Sequence, residues 1–203
     1  MKTVGIIGAG NMGLAMAQRL LASGFAVAAC DIDPARMSLA QQAGCALADS
    51  PARLAAVADA LLIVVVNAAQ IETVVHAAGG LAHALRQHAP VLLMSTVAPQ
   101  DAARFAADIQ AASGLPLDAP ISGGPARARR GELSLMLAGS DAALAAAKPF
   151  TDVLGNRSFY LGHRAGDAMK MKLVNNLLAG IQLAASAQIL ALAGRLGLDP
   201  NVA

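Results

Sequence analysis

Lys172 and Asn176 stand four residues apart in a stretch of helical spacing, so they share one face, while Lys170 and Asn175 lie on others. A lysine among apolar neighbours loses part of its preference for the charged form, and its amine can then exchange a proton near neutral pH. An amide one turn away can hold both that amine and a substrate hydroxyl. A solvated first helical turn would use the same pair, and spacing alone leaves both readings open. Ser122-Gly123-Gly124 follows a predicted strand end, where open α/β sheets bind ligands. Two glycines present bare backbone N–H groups, which with the serine hydroxyl suit a carboxylate; an ordinary Gly-Pro turn also fits. Arg127, Arg129 and Arg130, just beyond, read as a solvated basic face.

These groups need a scaffold, and Thr3–Gly13 organises it. Val4, Ile6 and Ile7 read as a short buried strand, Gly8-Ala9-Gly10-Asn11-Met12-Gly13 is a G-x-G-x-x-G turn, and Leu14, Ala17, Gln18 and Leu21 recur at helical spacing. Strand, glycine turn and helix together form a dinucleotide-binding context. Gly8 permits the tight turn, Gly10 lets backbone approach a pyrophosphate, and Gly13 lets the helix pack on the strand. Free N–H groups around Asn11 and Met12 and the positive end of the helix dipole then face the phosphates. A second strand, Ala26–Cys30, ends on Asp31, 18 residues after Gly13. An acid there suits the ribose hydroxyls of NAD and repels the 2′-phosphate of NADP. Arg36, opening the next helix, could face that phosphate, so NAD is expected and NADP stays open. Thr96, after a further strand, is placed to meet the nicotinamide ribose or carboxamide, and Asn67 occupies the equivalent place after Leu61–Val66.

The chain of 203 residues is 56% hydrophobic with a net charge of +2, enough for one domain and a fragment of another. Near-neutral charge, one Tyr and no Trp argue against a nucleic-acid partner. The N-terminus enters a strand directly, without the pattern of a secretory signal. Cys30 and Cys45 read as two buried thiols of a cytoplasmic protein. The four histidines show no metal-ligand spacing, and no metal is expected. Leu61–Val66 is a short β-branched run suited to a parallel strand buried on both faces. The run Leu177–Ala193 carries Gln182, Ser186 and Gln188, and reads as a helix buried in a domain or dimer interface, not as a membrane span.

Further strands are predicted at 91–94, 115–118, 133–138 and 158–161. Helices are predicted at 34–42, after Ser50, from about Ile71, at 100–112 and at 141–154. Such alternation implies a doubly wound, mostly parallel Rossmann sheet over residues 1–162. Residues 163–203 then form an inter-domain helix, Asp167 to Leu196, and the start of a helical C-terminal domain. Since that helix normally needs helices to pack against, the sequence reads as a truncated form or fragment.

Four segments, in order, carry a resemblance: Gly5–Gly13, Ser95–Pro99, Asp118–Gly124 and Lys172–Asn176. With them the chain resembles the β-hydroxyacid dehydrogenase family, which includes 3-hydroxyisobutyrate dehydrogenase, tartronate semialdehyde reductase and 6-phosphogluconate dehydrogenase. Val65–Gln70 and Leu177–Gly180 look most like the L-threonate dehydrogenase branch. The resemblance implies an oxidoreductase moving a hydride between NAD and a small hydroxy acid. It implies Lys172 as general acid/base assisted by Asn176, Ser122, Gly123 and Gly124 on the substrate carboxylate, and Thr96 on the cofactor. Gln188 departs from a glutamate common among relatives, and Gly166 to Lys172 is two residues longer than in many. The family's C-terminal domain supplies a second lysine and part of the pocket, a region this sequence lacks. The competing expectation is a dinucleotide-binding module that self-associates through its long helix without turnover.

Overall fold

The computed structural model describes residues 2–199 and Val202. Its centre is β1 (Thr3–Ile7), hydrogen-bonded on one side to β2 (Ala26–Cys30) and on the other to β4 (Ala60–Ile63). With β3 (Ala46–Leu47), β5 (Pro90–Leu93) and β6 (Leu115–Asp118), these form a parallel sheet of order β3-β2-β1-β4-β5-β6. Chain order reverses between β1 and β4, which opens a crevice at the carboxyl ends of those strands.

Alternation along the strands feeds two separate cores. Val4, Ile6, Leu62 and Leu92 pack with α1 (Asn11–Ala22), α6 (Gly124–Arg130) and α7 (Asp141–Leu154). Ile7, Leu61, Ile63, Val91 and Leu93 pack with α3 (Pro51–Val57), α4 (Ala68–His76) and α5 (Pro99–Ala111). Each such side chain, removed from water, contributes roughly 1.5–3 kcal/mol. Helix starts carry local signals: Pro34 opens α2 (Pro34–Gln42) behind the Asp33 cap, and Ser50, Asn67 and Ser140 cap α3, α4 and α7.

The sheet does not end cleanly at β6. After Asp118 the chain bends into β7 (Ile121–Ser122), which pairs antiparallel with β8 (Leu133–Leu137); β8 pairs in parallel with β9 (Gly155–Tyr160). An antiparallel bridge between Asp118 and Ala138 joins this smaller sheet to the main one.

Several boundaries differ from the sequence expectation. The run 61–66 stays in the sheet only to Ile63, and Val66 is 80% exposed. Gly8 turns β1 away, so Val64 N–H makes the last rung to the Ile7 carbonyl, while Val65 and Val66 N–H donate to the Ser95 hydroxyl and the Gln70 amide oxygen. The strands expected at 91–94, 133–138 and 158–161 are shifted or trimmed. Two short strands, β3 and β7, and the helix α6 were not legible. Two-residue strands have no alternation to read, and α6 begins Gly-Pro and is rich in arginine.

Helix α8 (Asp167–Arg195) has 29 residues, close to the expected span. Its first turns rest on the domain through Ala168, Met169 and Lys172, touching α5, β6 and β8. Beyond them Val174, Leu177, Ile181, Leu183 and Ile189 are exposed, so the expectation of a helix buried on most sides is not met within this chain. From Leu173 to Leu192 only Asn175 is half-buried, and Ala193 near the helix end is buried again. By length and composition α8 could cross a membrane, although Gln182, Ser186 and Gln188 punctuate it.

Candidate active site at the strand carboxyl ends

The glycine turn lies directly after β1 and is braced from β2. Gly8 N–H donates to the Cys30 carbonyl at 2.9 Å, and Ala9 N–H donates to Asp31 Oδ2 at 2.6 Å. Asp31 Oδ1 accepts from Asp33 N–H at 2.9 Å. The acid expected at the ribose therefore also ties the turn to β2. Across the turn, Arg36 Nη1 donates to Asn11 Oδ1 at 3.2 Å, an arrangement the spacing did not disclose. All of this borders an open cleft of about 810 Å³, lined among others by Gly8, Gly10, Asp31, Arg36 and Val66.

The turn is shaped to receive phosphates. A Cβ on Gly13 would overlap the Gly8 carbonyl oxygen, so the first turn of α1 can sit this close only with glycine there. A Cβ on Gly10 would meet no atom within 4 Å, which leaves its surface open toward the cleft. Gly10 caps α1 without a side-chain hydrogen bond, leaving the N–H groups around Asn11, Met12 and Gly13 for an anion. These residues fit the pyrophosphate of a dinucleotide.

The next two loops meet through Ser95. Its buried hydroxyl accepts from Val65 N–H at 2.9 Å and donates to the Ile63 carbonyl at 3.4 Å, joining the ends of β4 and β5. Its neighbour Thr96 is exposed at this edge. Asn67 is exposed as well, but its Oδ1 accepts from Gln70 N–H at 2.9 Å and caps α4.

Ser122 stands directly opposite Ser134, and directly opposed residues on paired strands share a face. Two residues further along β8, on the same face, Met136 packs with Ala138 and with Ala168 of α8. Ser122 therefore lies on the side of the small sheet where α8 begins. Gly123 and Gly124 have φ of +137° and +73°, values that side-chain-bearing residues rarely adopt, and they lead into α6. The arginines of α6 are exposed: Arg129 donates to Gln18 and Arg130 to Glu132.

Lys172 is 8% exposed, and burial lowers the affinity of its amine for a proton. Among the described residues no hydrogen bond or ion pair engages that amine. Asn176 lies on the exposed part of α8, whereas Asn175 is half-buried, so the four-residue pair is split by the edge of the domain.

Asp118, quoted in the sequence motif without a role, is fully buried under α8. Its Oδ2 accepts from the N–H groups of Gly166, Ala168 and Met169 at 2.7, 3.1 and 3.2 Å, and its Oδ1 has no partner. Burial pushes its carboxyl from 3.8 up to about 6, partly offset by those three amides. The folded value lies above the unfolded one. Stability from the protonated form is thus complete below 3.8 and is lost as pH rises through about 6. The loss is on the order of 3 kcal/mol. Denaturant titrations of the wild-type chain and Asp118→Asn should show a stability difference that declines across that window; a constant difference would contradict the assignment.

A doubly wound sheet with a glycine turn at its switch point defines a Rossmann-type dinucleotide-binding protein. Comparison with known proteins agrees: residues 3–162 match the NAD binding domain of 6-phosphogluconate dehydrogenase. An L-threonate dehydrogenase from Cupriavidus necator is 38% identical over 200 residues, which are 98% of this chain and 67% of that protein. The crystal structure of 3-hydroxyisobutyrate dehydrogenase from Salmonella typhimurium has a TM-score of 0.89 at 36% identity, covering 98% of this chain and 69% of that one. A structure described as Psf3 in complex with NADP+ and 2-OPP has a TM-score of 0.92 at 28% identity, covering 97% and 69%. The chain belongs to the β-hydroxyacid dehydrogenase family of NAD(P)-dependent oxidoreductases. It spans about two thirds of the length of these relatives.

Proposed function

We propose that the chain carries the cofactor site and acid/base group of a dehydrogenase that exchanges a hydride between NAD and a small hydroxy acid, L-threonate or a 3-hydroxyisobutyrate-like compound. The observation that carries this reading is a buried Lys172, its amine without a hydrogen-bond or ion-pair partner among the described residues, on a helix that starts on the Ser122 side of the small sheet. The glycine turn and Asp31 would hold the dinucleotide, with Thr96 at its nicotinamide end. Bound nicotinamide supplies the hydride acceptor or donor. Lys172 takes the proton of the substrate hydroxyl in oxidation and returns it in reduction, and Asn176 assists. Ser122 and the backbone N–H groups of Gly123 and Gly124 hold the carboxylate. Residues 1–162 then act as the cofactor domain, and 163–203 as the inter-domain helix and the beginning of a helical domain. Self-association through α8 belongs to the same reading, as does a reducing, cytoplasmic setting supported by the two buried free thiols.

The test follows absorbance of reduced cofactor with NAD and a panel of hydroxy acids. It uses this chain and a chain extended to the relatives' length. Turnover of a small hydroxy acid by either is the expected result, and none with any member of the panel overturns the reading. The exposed apolar length of α8 favours a second reading, a module that binds NAD and self-associates without turnover. Calorimetric NAD binding by this chain, with turnover by neither form, would establish it.

A further inference from the structure

Helix α8 rests on the domain through its first turns, where Ala168, Met169 and Lys172 are buried, so whatever fixes the turn at Gly166–Met169 also fixes Lys172. That turn is gripped from two directions. From β6, Asp118 Oδ2 accepts from three amides of that turn at 2.7–3.2 Å, while its backbone bridges to Ala138, just past the end of β8. From α5, the Pro99 carbonyl oxygen lies where a Cβ on Gly166 would approach within 2.7 Å. Pro99 directly follows the Ser95–Ala98 loop, so the grip ties the helix to the loop bearing Thr96.

We infer that Asp118 is the positioning residue for Lys172: its carboxylate seats the first turn of α8 and thereby sets the depth at which the lysine amine is held. The inference rests on the assignment of Lys172 as acid/base group. Lys172 owes its lowered proton affinity to burial, so a loosened first turn returns the amine toward ordinary lysine behaviour. Asp167 is the charged group that bears on Asp118, and its own carboxylate is occupied by Lys170 at 2.6 Å and Arg164 at 3.6 Å.

The experiment uses this chain as it stands. Competitive acylation across pH, read by mass spectrometry at Lys172, gives the midpoint of its titration, and amide exchange reports on Ala168–Lys172. In Asp118→Ala three buried amides lose their acceptor, so exchange there should accelerate by roughly 10-fold or more. The Lys172 midpoint should move upward, with NAD affinity retained. Asp118→Asn keeps an acceptor oxygen and should restore both readouts, which a merely structural role would not require of the lysine midpoint. If Asp118→Ala does not fold, Asp118→Ser replaces it, since its hydroxyl is one bond shorter and falls short of the amides. An unchanged Lys172 midpoint in a folded variant overturns the inference, as does failure of both truncations to fold. Neither readout uses turnover, so a fully active Lys172→Ala would refute the lysine's catalytic role without touching this result.

Discussion

Lys172→Ala is expected to slow hydroxy-acid turnover by roughly 10²–10⁴-fold, the usual contribution of one positioned acid/base group. Affinity for NAD should be unchanged, because the glycine turn and Asp31 lie at the ends of β1 and β2 and at the start of α1 rather than on α8. Stopped-flow formation of reduced cofactor separates this chemical step from binding. The pH profile gives a second signature. Oxidation requires the free amine, so in the wild type the rate falls as pH drops below the lowered lysine value, and the variant loses that limb. Wild-type rates in Lys172→Ala would remove the acid/base role from this residue.

Gly13→Ala is expected to damage both the fold and the cofactor site. The added methyl would collide with the Gly8 carbonyl, which cannot withdraw because Gly8 N–H is bonded to Cys30 and the turn is tied to Asp31. Overpacking of this kind costs about 1–3 kcal/mol, a drop of roughly 2–12 °C in melting temperature for a chain of this size. Displacement of the first turn of α1 should weaken NAD binding roughly 10–100-fold. Gly10→Ala is the control, since its methyl meets open space. Calorimetry should show it weakening NAD while melting like the wild type. A Gly13→Ala chain as stable as wild type would mean that the turn is not as tight as described.

Much of this was legible because the signals are local. Gly8, Gly10 and Gly13 announce a turn through their own spacing, and Asp31 and Lys172 stand at fixed offsets from strand and helix periods. What was not legible depends on distant partners. Nothing near Asp118 says that it will meet amides 48 to 51 residues later. The Arg36–Asn11 contact bridges 25 residues, and the Ser95–Val65 bond bridges 30. Val64–Val66 misled because β-branched composition signals a strand, whereas sheet membership there is decided by Gly8 removing the neighbour. Asn67 carries two signals at once: its place after a strand suggests a ligand contact, and its Oδ1 caps α4.

Helix α8 carries one more consequence. Most of its bare leucines, isoleucines and valines fall, at about 100° per residue, within one broad arc of somewhat less than half the circumference, with Leu183 and Leu190 on the opposite side. One broad neighbour laid lengthwise on that arc would dry most of them, leaving Leu183 and Leu190 to a second segment. A cover that dried the helix in full would therefore touch it on two sides, broadly on one and narrowly on the other.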